Sequence, residues 1–117
     1  MIKVKRLYEP AVAADGYRVL VDRVWPRGVS KDRLRLDDWL EEVAPSAELR
    51  KWFAHDPAKW AAFKEQFFRE LDEHSESIEC LLARSRTGTV TLLFGAKDAR
   101  YNNAVALKEY LEQHSRK

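Results

Sequence analysis

A single cysteine, Cys80, stands among the 117 residues, so no disulfide forms within the chain, and a cytoplasmic location is the default expectation. No apolar run approaches the ~18 residues of a membrane span. The opening Met1-Ile2-Lys3-Val4-Lys5-Arg6 has neither the apolar centre nor the cleavage site of a signal peptide, so none is expected. Four glycines and four prolines are too few for a fibrous or low-complexity chain, and 45% apolar residues are too many for a disordered one. His55, His74 and His114 are too scattered for a metal signature. The chain has no Gly-rich phosphate loop, dinucleotide fingerprint or Gly-x-Ser-x-Gly motif, so neither metal nor cofactor is expected.

What is there reads as one globular domain over residues 1–117, long enough to bury a real core. Its net charge of +2 is unevenly spread. Residues 1–35 carry nine Lys/Arg against four Asp/Glu, residues 36–83 five against twelve, and residues 84–117 seven against three. Either solvated faces attract one another in the fold, or the two basic ends converge on an anion.

Val19–Val24 reads as a buried strand of a mostly parallel sheet, because valines dominate it without alternation. Trp25-Pro26 ends it, and Pro26-Arg27-Gly28 suits a turn. Ile2–Leu7 alternates like an edge strand. The short link between these two strands excludes a helical crossover, so they are antiparallel or not adjacent. After Gly28 comes a basic loop with Lys31, Arg33 and Arg35, and Leu36–Val43 fits a helical turn or a short strand equally. Ser46 caps a short helix, and Asp56-Pro57 opens a longer one whose Trp60, Phe63, Phe67 and Leu71 form an apolar stripe. Ser77 suits the cap of a third helix that ends near Thr87-Gly88. Thr89–Phe94 is a second apolar strand, expected beside Val19–Val24 and parallel to it. A last helix starts near Asn103, and the tail after it frays. The sum is an α/β fold, a small mostly parallel sheet flanked by helices.

Cys80-x5-Arg86-Thr87 imitates a phosphatase loop, but the residues between continue a helix and Glu79 opposes a thiolate. A buried structural cysteine is expected instead. The stronger site lies at the carboxyl end of the sheet, where ligands of open α/β folds bind. Arg23 and Arg27 leave one central strand there, and Lys97 leaves the other. Asn103 and its helix N-terminus offer donors to an anion, and Trp25 offers a wall, unless it merely caps the core. Asp22, Asp98 and His55 are the candidate bases, and no nucleophile stands out.

With those residues in view, the chain resembles the YeaO-like proteins, a bacterial family (DUF488). The matching stretches are Asp15–Gly28 with its Trp-Pro-Arg-Gly, Ala44-Pro45-Ser46, Leu49-Arg50-Lys51-Trp52-Phe53-Ala54-His55-Asp56, and Val90–Asp98 with Asn102-Asn103-Ala104. Gly95 stands where the family pattern carries alanine. The resemblance implies a small cytoplasmic α/β protein and no established activity. The residues themselves favour binding of a small phosphate-like or carboxylate anion by Arg23, Trp25, Arg27, Lys97 and Asn103. The alternatives are a nucleic-acid or regulatory module using the basic 31–35 loop, and a structural protein without a ligand. Weak net charge disfavours nucleic acid, and no membrane contact is expected.

Overall fold

The computed structural model describes residues 1–115, and fraying of the tail lies outside them. Among the described residues, the sheet has the order β1-β4-β2-β3, from strands β1 (Ile2–Arg6), β2 (Tyr17–Leu20), β3 (Asp38–Trp39) and β4 (Val90–Phe94). All pairings are parallel, with Ile2 opposite Val90, Tyr17 opposite Val90, and Leu20 opposite Trp39. The apolar β4 is therefore central, and the lysine-bearing β1 lies at an edge, as expected. β1 and β2 are not adjacent, because β4 lies between them.

The two faces of the sheet differ in depth. Val19, Val21, Val90, Leu92 and Phe94 enter the larger core, built with helices α2 (Ala47–Phe53), α3 (Trp60–Asp72), α4 (Ser75–Thr87) and α5 (Asn103–Ser115). Phe53 stacks on Phe63 with ring centroids 4.4 Å apart, and Phe67 and Leu71 continue the stripe read from the sequence. The alternate residues Leu20 and Leu93 face a smaller core with Leu7, Val29 and Leu34. The short helix α1 (Lys31–Leu34) covers it. Its Ser30 cap accepts from the Arg33 amide, so this segment is a helical turn, not the expected loop.

The thin face also buries polar groups. Arg18 donates to the Leu34 carbonyl and to Asp15, and Lys5 reaches Asp15 at 3.0 Å. Thr91 Oγ1 donates to the Asp15 carbonyl at 2.7 Å, which fixes the 3-10 turn Ala13–Asp15 over the sheet. Gly16 follows at φ +64°, where a Cβ would stand 2.3 Å from the Thr89 carbonyl oxygen. Only glycine fits this left-handed, close approach.

Several boundaries differ from the sequence reading. β2 ends at Leu20, and Val24 is exposed. The Val21 amide still donates to Leu93, but Asp22 then turns toward the β4 exit. Residues 36–43 supply both alternatives, the strand Asp38–Trp39 and a 3-10 turn at Glu41–Val43. Ser46 and Asp56 cap as expected. α4 begins at Ser75, and Ser77 instead donates to Glu42. Cys80 is exposed, not buried, since Ile78, Leu81 and Leu82 form the inward face of α4. Its helical setting still excludes a phosphate loop. No helix among the described residues is long and apolar enough to cross a membrane.

Candidate functional site

A cavity of about 450 Å³ opens at the carboxyl end of the sheet. Its making begins at Asp22. One residue past the last β2–β4 ladder bond, the Asp22 carboxylate accepts from the Gly95 amide at 2.8 Å and from Asn103 Nδ2 at 3.0 Å. Asn103 also donates to the Val21 carbonyl at 2.9 Å. These bonds join the exits of β2 and β4 to the first residue of α5. Asn102 completes the joint: its Oδ1 caps the Val105 amide, and its Nδ2 holds the Asp98 carbonyl. Burial raises the pKa of Asp22, against the opposing pull of Asn103, the Gly95 amide and the Arg50 charge.

Arg50 and Lys51 enter the same cavity from α2, and Phe53 and Phe63 give it apolar walls. Both cations are exposed, and among the described residues neither takes part in an ion pair. Ala54 and His55 follow at φ +47° and +57°. Consecutive left-handed non-glycine residues are strained, and here they turn the chain so that His55 reaches the cavity. His55 also lines a second, adjoining hollow with Lys97 and Asp98.

The sequence-derived candidates divide. Asp22, His55 and Asn103 meet in the main cavity. Lys97 and Asp98 lie in the adjoining hollow. The Asp98 carboxylate accepts from the Arg100 and Tyr101 amides, and these bonds hold its pKa below the ordinary value. Arg23 lies behind the wall, with its guanidinium on the Pro45 and Ala44 carbonyls, both at 3.1 Å. It positions Pro45, which does line the cavity. Trp25 donates to the Val29 carbonyl at 2.7 Å and meets the Trp39 ring edge-on at 5.3 Å, so it caps the smaller core. Arg27 is exposed in its turn. Lys31, Arg33 and Arg35 belong to α1 and its C-terminus, away from the cavity lining.

Arg50 and Lys51 were missed because they lie inside the acidic middle of the sequence. The available signal was the run Leu49–Asp56, which carries the family resemblance and places two cations on α2 and a histidine just past its end.

Among known proteins, the chain is similar to the uncharacterised protein YeaO of Escherichia coli K12, 44% identical over 94% of this chain and 96% of that protein. It is also similar to uncharacterised proteins of Mycobacterium bovis and Mycobacterium tuberculosis, 36% identical over 94% of this chain and 92% of each of theirs. No solved structure gives a significant match. The family model described as the inactive DUF488-N3 subclade matches residues 1–117, and the chain belongs to that family, DUF488-N3i.

Proposed function

We propose that this protein binds a small anionic ligand, phosphate-like or carboxylate, in the cavity at the carboxyl end of its sheet. The observation that carries this reading is the convergence of Arg50, Lys51 and His55 with the start of α5 on one cavity. The first amides of a helix lack partners inside it, and the helix dipole favours a negative charge there. Asn103 contributes its backbone amide at the start of α5, because its side-chain amide already donates to Val21 and Asp22, and Lys97 acts from the adjoining hollow. Arg23 acts through Pro45, whereas Trp25 caps the smaller core and Arg27 is exposed in its turn, and neither of these two lines the cavity. Binding without turnover is proposed. The description of the family as an inactive subclade supports the same choice. A free, exposed Cys80 suits the reducing bacterial cytoplasm.

Calorimetric titration with inorganic phosphate and with propyl phosphate tests the reading. Wild type should bind at least one of them. Arg50→Ala should weaken that binding by about 1.5–3 kcal/mol, the contribution of a hydrogen bond to a charged group. Arg50 is exposed, so the unfolding midpoint without ligand should barely move. Absence of binding to wild type, or equal binding by Arg50→Ala, would refute the proposal.

A further inference from the structure

The cavity is not uniformly positive. Asp22 enters it from the sheet exit, half-buried, and Arg50 and Lys51 enter it exposed from α2, with Phe53 and Phe63 as apolar parts of the same lining. A wholly anionic ligand would satisfy the cations and face the carboxylate with a like charge. Asp22 also has unused capacity. A carboxylate accepts about four hydrogen bonds, and the protein supplies the Gly95 amide and Asn103 Nδ2. Among the described residues Asp22 has no ion-pair partner. The cations sharing its cavity are Arg50 and Lys51, His55 and Tyr101 are its other titratable groups, and burial outweighs Asn103, the Gly95 amide and the Arg50 charge together, so the pKa of Asp22 stays raised. A cationic donor brought by the ligand would complete the set.

We infer that the ligand is bipolar: an anionic group at Arg50 and Lys51, and an ammonium at Asp22, joined by a short apolar spacer along Phe53 and Phe63. The inference rests on the anion reading above and adds the second half of the ligand. A cavity of about 450 Å³ has room for a molecule of this size. The relevant class is small amino-alkyl phosphates and amino acids with their charges several bonds apart.

The test compares ω-aminoalkyl phosphates of about two to four carbons with alkyl phosphates of matching length, by calorimetry on the whole chain. Wild type should bind the best aminoalkyl phosphate about tenfold or more tighter than its alkyl counterpart. Asp22→Asn should abolish that preference. Equal affinities in wild type would overturn the bipolar ligand and leave the anion reading standing. Failure of both probes would overturn both. A preference that survives in Asp22→Asn would remove Asp22 as the recognising group. Should Asp22→Asn not fold, the Asp22 carboxyl is titrated by carbon NMR in wild type. The aminoalkyl phosphate should lower its midpoint, and the alkyl phosphate should raise it. No lowering by the aminoalkyl phosphate would overturn the inference.

Discussion

Asn103 holds Asp22: its Nδ2 donates to Asp22 Oδ1 at 3.0 Å and to the Val21 carbonyl at 2.9 Å, so one side chain fastens the start of α5 to the exit of β2. The bond stabilises an ionised carboxylate whose pKa burial has raised. As pH falls, folded Asp22 takes up its proton before unfolded Asp22 does. Its contribution therefore makes the protein more stable as pH falls through the folded pKa, complete below the ordinary 3.8. Asn103→Ala removes a donor to the charged form and should move this window to higher pH, with a loss near neutrality of about 1.5–3 kcal/mol. Denaturant midpoints across pH for the two proteins check it. Identical pH profiles would contradict the assignment.

Arg23→Ala is expected to cost about 1–3 kcal/mol. The guanidinium bonds two backbone carbonyls, not a carboxylate, so no buried charge is orphaned when it goes. Phosphate affinity should fall less than in Arg50→Ala, because Arg23 acts through Pro45. Equilibrium unfolding and calorimetry of the two variants make the comparison.

Asp15→Ala should be far more damaging, about 3–5 kcal/mol, as it strands the buried Arg18. Burial opposes the charge on Asp15, but the Val12 amide, Lys5 and Arg18 outweigh it and hold its pKa below 3.8. Its stabilisation is thus full above 3.8 and is lost as pH falls through the lowered value. Acid unfolding of the variant should lack that step.

In Gly95→Ala the added Cβ would stand 3.2 Å from both Asp22 Oδ2 and Leu7 Cδ2. Asp22 must then shift by a few tenths of an ångström. The amide bond from residue 95 should lengthen and phosphate affinity should change, while the fold persists. Proton exchange at that amide reports the shift, and an unchanged rate would contradict it.

The parallel β2–β4 pair was legible because both strands are short, apolar and closed by polar exits. The caps at Ser46 and Asp56 were legible because each oxygen meets an amide within its own turn. The end of β2 was not. Val24 is apolar, but Asp22 prefers the Gly95 amide and Asn103, which lie 73 and 81 residues away. The site was half legible for the same reason. Asp22 and Asn103 follow from strand exits, whereas Arg50 and Lys51 arrive from α2 through packing of Phe53 on Phe63. Trp25 and Arg23 sit near the sheet end in sequence, but local carbonyls capture them.

The central claim is that an anion binds between α2 and the start of α5. Titration of isotope-labelled protein with inorganic phosphate or propyl phosphate, followed by the backbone amide and asparagine side-chain NMR signals, tests it most directly. The account predicts saturable shifts at Arg50, Lys51, His55 and the Asn103 side-chain amide. Absence of shifts, or shifts confined to Lys31, Arg33 and Arg35 on α1 and its C-terminus, would contradict it.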